Sequence, residues 1–100
     1  MMLIEVESRK GVNGVVELTS YDLRGKKWYE LFNDENELLE LTKSIDTVDF
    51  KKKGFSGYLY IRSFSKSLNS GRELNSKQLI ELKKIASEVY AYYWNKEHAV

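Results

Sequence analysis

The chain has 100 residues, no cysteine and no proline, and 42% of its residues are hydrophobic, which is enough for one domain with a modest core. The absence of cysteine excludes disulfides, thiolate metal sites and a cysteine nucleophile. No apolar run reaches the ~18 residues of a membrane-spanning helix, and Met1–Ile4 is followed by Glu5 rather than by a secretory signal, so we expect a soluble cytoplasmic protein.

The net charge of +1 hides an uneven distribution of charge along the chain. Residues 1–50 carry six Lys/Arg and eleven Asp/Glu, for a net charge of −5. Residues 51–100 carry ten Lys/Arg and four Asp/Glu, for a net charge of +6, and residues 51–84 alone reach +7. A basic segment of this kind is typical of proteins that have a polyanionic partner.

The N-terminal third predicts three antiparallel strands in meander order. Residues 2–8 and 15–21 alternate apolar with polar side chains, as half-buried strands do. Glycine-containing turns at 11–14 and 22–25 separate these two strands from a third strand over 26–32.

A short helix and two further strands are predicted in the middle of the chain. Asp34 and Glu37 have the spacing of a capping box, which predicts a helix over roughly 35–44. A short strand is expected at 47–51, and alternation of side chains predicts a second strand at 57–64. A polar loop follows the second of these strands.

A long helix is predicted at the C-terminal end, from an N-cap at Asn75 to about Asn95. Gln78 completes a capping box with Asn75, and Leu74 can contact Leu79 across the helix start. The sequence therefore predicts a single α+β domain in β-β-β-α-β-β-α order. Its antiparallel sheet has four to five strands, with a short middle helix and a long C-terminal helix packed on the sheet.

The predicted strand 57–64 is the candidate binding face, because it combines cations with aromatic rings. Cations neutralise phosphates, and exposed rings stack unpaired bases. The predicted nucleic-acid-binding residues are Lys51, Lys52, Lys53, Tyr58, Tyr60, Arg62, Phe64 and Arg72. The alternative interpretation is that the aromatic rings cover the second face of a sheet beneath a helix.

A partial resemblance to a known family supports the same face. The string Tyr60-Ile-Arg-Ser-Phe64, a polar loop, and a helix opened by Leu74-Asn75 resemble the positive cofactor four family of single-stranded-DNA-binding coactivators. The resemblance covers about residues 55–90. It implies a dimer that holds single strands against a curved sheet, with Tyr60, Arg62 and Phe64 at the nucleic-acid face.

Four aromatic side chains cluster near the end of the predicted C-terminal helix, at Tyr90, Tyr92, Tyr93 and Trp94. They span more than half of the helix circumference, so they cannot all face one narrow core. Either the core wraps widely around this helix, or some of the rings meet a second protomer, because aromatic residues are enriched at interfaces. We expect a homodimer with Tyr90, Tyr92 and Trp94 at its interface.

Residues that could support catalysis are few. The single histidine, His98, is third from the C-terminal end, and Asp46, Asp49 and Lys51 form only a short Asp-x-Lys fragment of the kind found in carboxylate-metal nucleases. We therefore expect no enzymatic activity, no cofactor and no metal, and a carboxylate-metal nuclease is kept as a third, less favoured alternative.

The acidic half suggests a different class of function. A polyanionic surface can occupy the basic channel of a nucleic-acid enzyme, as small phage or mobile-element inhibitors do. A protein-interaction module of this type, acting through the acidic N-terminal half or the aromatic helix, is the alternative function. The acidic residues in question are Glu5, Glu7, Glu17, Glu30, Asp34, Glu35, Glu37 and Glu40.

Overall fold

A computed structural model describes residues 18–98, and these residues form an all-helical fold. A 3-10 helix at Ser20–Leu23 precedes the α-helices of this part of the chain. The α-helices are α1 Trp28–Leu31, α2 Glu35–Ser44, α3 Thr47–Lys52, α4 Tyr58–Asn69, α5 Ser76–Lys84 and α6 Ala86–Glu97. No strand occurs among the described residues, so the predicted α+β fold with a four-to-five-stranded sheet is wrong.

Three predicted strands are helices in the structure. The strand predicted at 26–32 contains α1, the strand predicted at 47–51 is α3, and the strand predicted at 57–64 is the first half of α4. In α4 the buried side chains are those of Ile61, Phe64 and Ser65, which follow the helical spacing of three and four residues. The alternation of residues 57–64 is therefore a local coincidence within a 3.6-residue period.

The structure describes only the end of the predicted N-terminal meander. The strand predicted at 2–8 and the turn predicted at 11–14 lie outside the described residues. The strand predicted at 15–21 is contradicted at its end, where the 3-10 helix begins. Leu18 is held by the side chain of Asn95 in α6, which accepts a hydrogen bond from the Leu18 amide at 2.6 Å and donates one to the Leu18 carbonyl at 2.7 Å.

The predicted middle helix is confirmed as α2, Glu35–Ser44. The side chain of Asp34 accepts a hydrogen bond from the Glu37 amide at 2.8 Å, as the N-cap prediction requires. The Glu37 carboxylate reaches back one residue further than predicted, because it accepts from the amide of Asn33 at 3.1 Å.

The start of the predicted C-terminal helix is confirmed, but the structure divides the predicted helix into two. Asn75 and Gln78 form the capping box, with the Gln78 amide 2.8 Å from Asn75 Oδ1 and the Asn75 amide 2.9 Å from Gln78 Oε1. At Ile85 the backbone leaves helical geometry, with φ −104° and ψ 13°, and divides the predicted helix into α5 and α6. The second part ends at Glu97.

Helix α6 is the centre of the core. It contacts α1, α2, α5 and the 3-10 helix, and side chains on all of its faces are buried. Tyr90, Tyr92 and Trp94 are 0%, 2% and 5% exposed, so these rings cannot form the predicted interface in the folded chain. Of the two alternatives for the aromatic cluster, the structure therefore favours a core that wraps widely around one helix. Homodimerisation itself stays a prediction.

Candidate functional site

Two features fix the connection between α3 and α4: the backbone conformation of Gly54 and the packing of the Phe55 ring. It runs over residues 53–57, and Gly54 has φ 83°, a conformation that a side chain disfavours. The rings of Phe50, at the buried face of α3, and Phe55, within the connection, stack at 4.7 Å with an interplanar angle of 22°. The stack ties the connection to the core.

A buried carboxylate holds the start of α4. Glu88 of α6 is 5% exposed, and its Oε1 accepts a hydrogen bond from the Gly57 amide at 2.9 Å. The hydroxyl of Ser56 donates to the same oxygen at 3.5 Å. Since Gly57 is the N-cap residue of α4 and has no side chain of its own, Glu88 supplies the cap from another helix.

The outward face of α4 is both basic and apolar. Leu59 is 70% exposed and Tyr60 is 51% exposed. Arg62 and Lys66 are also exposed, at the positions three and seven residues after Leu59. Together with the cations that flank α4, they form what we call the α3–α4 surface, made of Lys51, Lys52, Lys53, Leu59, Tyr60, Arg62, Lys66 and Arg72.

Among residues 18–98, no carboxylate forms an ion pair with a cation of the α3–α4 surface. Residues 51–72 contain six Lys/Arg and no Asp/Glu. The ion pairs within the described part of the chain are Lys83 with Glu35 at 2.7 Å and Lys84 with Glu81 at 3.4 Å, neither of which involves this surface. Lys51 contacts an aromatic ring instead, with its Nζ 5.2 Å from the centroid of Tyr58.

Most carboxylates of the described residues, in contrast, have partners within the chain. Several cap helix starts: Glu30 accepts from the Lys27 amide, Asp34 from Glu37 and Asp46 from Val48 and Asp49. Others bind side chains or more distant amides. These are Asp22 with Thr19, Glu35 with Lys83, Glu37 with Asn33, Asp49 with Tyr92, Glu81 with Lys84, and Glu88 with Gly57. Within residues 18–98, most carboxylates therefore stabilise the fold through caps, hydrogen bonds and ion pairs, whereas the cations of the α3–α4 surface form no ion pair.

The structure separates the residues that the sequence predicted to bind nucleic acid. Lys51, Lys52, Lys53, Tyr60, Arg62 and Arg72 are exposed. Tyr58 is half-buried beneath Lys51. Phe64 is 4% exposed and belongs to the core, so the prediction that its ring lies at a nucleic-acid face does not fit its position.

Two members of the surface, Leu59 and Lys66, were missed by sequence reasoning. In the predicted strand 57–64, Leu59 lies on the face opposite Tyr58 and Tyr60, and Lys66 lies in the polar loop predicted after that strand. A helical spacing over residues 58–69, with Ile61, Phe64 and Leu68 three or four residues apart, was the signal that could have found them.

The Asp-x-Lys fragment has a structural role. Asp46 caps α3, and Asp49 Oδ2 accepts a hydrogen bond from the Tyr92 hydroxyl at 2.8 Å. Among residues 18–98, no group of three or more acidic or histidine side chains is placed so that it could hold a metal ion. His98 stacks on Trp94 with the ring centroids 3.9 Å apart, and its Nδ1 lies 2.8 Å from the Trp94 carbonyl oxygen.

Comparison with protein-family models, with curated proteins and with solved structures finds no match for this chain. The resemblance to the positive cofactor four family implied a strand at Tyr60–Phe64, and that segment is helical. In the part of the chain that the structure describes, no helix combines the length and the apolar character needed to cross a membrane.

The raised pKa values of Tyr90, Tyr92 and Tyr93 predict how the free energy of unfolding changes at alkaline pH. Burial raises the pKa of Tyr93 to about 12, and burial with the nearby Glu97 carboxylate raises that of Tyr90 to about 12. Burial, followed by the hydrogen bond to Asp49, also raises the pKa of Tyr92. The folded chain therefore keeps these protons to higher pH than the unfolded chain, whose phenols titrate near 10.

We accordingly expect the free energy of unfolding to be maintained below pH 10 and to fall as the pH rises from 10 to 12. Urea denaturation at half-unit steps of pH, followed by circular dichroism, measures this dependence. Tyr93→Phe lacks one of the three phenols, so its stability should fall less steeply over the same range. A stability that stays constant between pH 10 and 12 would contradict the expectation.

Proposed function

We propose that this protein binds nucleic acid through the α3–α4 surface and catalyses no reaction. The observation that carries the proposal is the contrast between the two kinds of charge. Within the described residues, the cations of this surface lack carboxylate partners, whereas most carboxylates are engaged in caps and hydrogen bonds. A polyanion with regularly spaced phosphates supplies the missing partners. Such a partner also fits a cytoplasmic location, which forms part of the proposal.

The alternative function, a protein-interaction module, has less support from the same contacts. Four of the acidic residues that would form its polyanionic surface, Glu30, Asp34, Glu35 and Glu37, have partners within the chain. The aromatic helix that could have met a protein partner is the buried helix α6.

The proposal is tested by fluorescence anisotropy with labelled oligonucleotides of about 20 nucleotides, single-stranded and duplex, at 50 to 300 mM salt. We expect binding at micromolar or lower concentration at 50 mM salt, weakening steeply as the salt rises, because released counterions supply much of the free energy. If neither oligonucleotide binds at 50 mM salt, the proposal is wrong.

A matched pair of variants assigns the binding to this surface. Lys52→Gln with Lys53→Gln removes two exposed cations of the α3–α4 surface, and Lys26→Gln with Lys77→Gln removes two exposed cations elsewhere. Each lost phosphate contact lowers the slope of log K against log salt by roughly 0.9 on duplex or 0.7 on single strands. We expect the first pair to lower the slope by about 1.4 to 1.8 and the second to leave it nearly unchanged. Equal losses from both pairs would contradict a role for the α3–α4 surface.

A further inference from the structure

Helices α3 and α4 follow one another across a short connection, an order that they share with the two helices of a helix-turn-helix unit. Two consecutive helices are joined by a short connection that contains a glycine with positive φ, Gly54, and the second helix presents an exposed face. In helix-turn-helix units generally, the connection has three or four residues and the second helix lies in the major groove of DNA. The connection of this chain, residues 53–57, is one residue longer.

We infer that the nucleic acid is B-form duplex DNA and that α4 lies in its major groove. This inference rests on the proposed nucleic-acid binding and specifies its substrate. With 12 residues, α4 is about 18 Å long, and a helix with its side chains is about 10–12 Å across. The major groove of B-DNA, about 12 Å wide, admits a helix of this diameter, and the minor groove, about 6 Å wide, does not. The narrow major groove of A-form RNA excludes it as well.

The side chains on the outward face of α4 have the chemistry that base edges require. Arg62 and Lys66 donate hydrogen bonds to the acceptor atoms of guanine, and the hydroxyl of Ser63 both donates and accepts. Leu59 and Tyr60 present apolar atoms, which suit the methyl group of thymine. All five are exposed on one helix, and Lys66 lies in its last turn.

Cations stand at both ends of α4, where the phosphate backbones border the groove. Lys51, Lys52 and Lys53 precede α4 across the connection, and Arg72 follows its end by three residues. The Gly57 amide at the start of α4 does not donate to a phosphate, because it already donates to the Glu88 carboxylate. Side-chain cations, which have no carboxylate partner among residues 18–98, supply the phosphate contacts.

The position of α4 is fixed before any DNA is bound. Its start is held by Glu88, and its second half is tied to the end of α2, where the Lys43 carbonyl accepts from the Asn69 side chain at 2.9 Å and from the Ser65 hydroxyl at 3.4 Å. A recognition helix held in this way loses little conformational freedom on binding, which favours affinity.

Single strands fit this surface less well, because they need several exposed rings on which successive bases stack. Of the three aromatic residues predicted for stacking, Tyr60 is exposed, Tyr58 is half-buried under Lys51, and Phe64 is in the core. One exposed ring, itself 6.0 Å from the ring of Phe64, does not form a stacking platform. Binding of duplex DNA requires no such platform, because its bases remain stacked on one another.

Competition anisotropy tests the substrate. A labelled 20-base-pair DNA duplex bound to the full-length protein is challenged with the unlabelled duplex, with either of its single strands, and with an RNA duplex of the same sequence. We expect the DNA duplex to compete at least tenfold better than the other nucleic acids. If a single strand or the RNA duplex competes better, the inference is wrong while the proposed function stands. If neither the duplex nor the single strands bind at 50 mM salt, both are wrong.

The groove and the helix are tested separately on the same complex. The major-groove dye methyl green should displace the protein, and the minor-groove ligand netropsin should not; the reverse result would overturn the inference.

Ser63→Glu places a negative charge on the outward face of α4, and Ser76→Glu makes the same change at the exposed start of α5. We expect at least a tenfold loss of affinity from Ser63→Glu and less than threefold from Ser76→Glu, with helix content unchanged by circular dichroism. A Ser63→Glu variant that binds like the wild type would exclude α4 from the groove.

Discussion

Phe50→Ala should lower the free energy of unfolding by about 3–5 kcal/mol, the range typical of removing a buried phenylalanine ring. Phe50 is fully buried, and its ring contacts two others: it stacks on Phe55 at 4.7 Å and lies 5.4 Å from Tyr92. Both neighbours would face a cavity after the substitution. Since α3 has only six residues and Phe50 is its buried side chain, the helix would also lose its main attachment to the core.

Chemical denaturation of the wild type and the variant, followed by far-ultraviolet circular dichroism, gives this difference. Tyr29→Ala is the matched control, because it also removes an aromatic ring from a helix but at a position that is 59% exposed. We expect the control to cost less than about 1 kcal/mol, as surface substitutions generally do. A Phe50→Ala variant as stable as the control would show that the Phe50–Phe55 stack does not hold α3.

If Phe50→Ala unfolds the chain altogether, Phe50→Leu provides the same test at smaller size. Leucine keeps apolar volume at the site and loses the ring stack, so an intermediate loss of stability is expected. A loss from Phe50→Leu no larger than that of the control would contradict the assignment.

The two helix starts that the sequence predicted correctly, those of α2 and α5, both carry capping residues. Asp34 and the Asn75–Gln78 pair each marked a helix start, because a side chain that satisfies an otherwise unpaired amide acts locally and needs no tertiary context. Asp46 carried the same signal for α3 and was interpreted instead as part of an Asp-x-Lys fragment. In α4 that signal was missing from the sequence, because its cap is Glu88, more than thirty residues away along the chain.

The period of α4 was misjudged because its first residues satisfy two periods at once. Residues 58–64 alternate in character like a strand, and the helical spacing becomes clear only when Leu68 is included. The error carried over to the candidate site, since a strand face includes Phe64 and a helix face excludes it. The error affected the predicted cations less, because charged side chains are exposed whether the segment is a strand or a helix.

The division at Ile85 has no marker in the sequence, which contains neither glycine nor proline nearby. In the structure, the break in helical geometry at Ile85 accompanies the placement of Glu88 against Gly57 and of Ala86 in the core. Tertiary contacts of this kind are set by the packing of distant segments, so a local pattern cannot predict them.

Removing the carboxylate that caps α4 should have the second large effect. We expect Glu88→Ala to lower the free energy of unfolding by about 2–3 kcal/mol, because the buried Gly57 amide loses its acceptor and the positive end of the α4 dipole loses a nearby charge. Glu88→Gln keeps an oxygen that can accept from Gly57 and loses only the charge, so about 1 kcal/mol or less is expected. Urea denaturation measures both, and equal losses from the two variants would show that the hydrogen bond contributes nothing.

A double-mutant cycle with Gly57 separates the cap from general disruption of the core. A methyl group at Gly57 would lie 2.8 Å from Glu88 Oε2, so Gly57→Ala must displace the carboxylate in the wild-type background. Its backbone, with φ −79° and ψ 12°, allows alanine, and the remaining neighbour, Ile85 Cδ1 at 3.2 Å, needs to move by only a few tenths of an ångström. Gly57→Ala should therefore be destabilising in the wild type and nearly neutral once Glu88 is alanine, with a coupling of about 1 kcal/mol or more. Additive effects would mean that Glu88 stabilises the protein through contacts other than the start of α4.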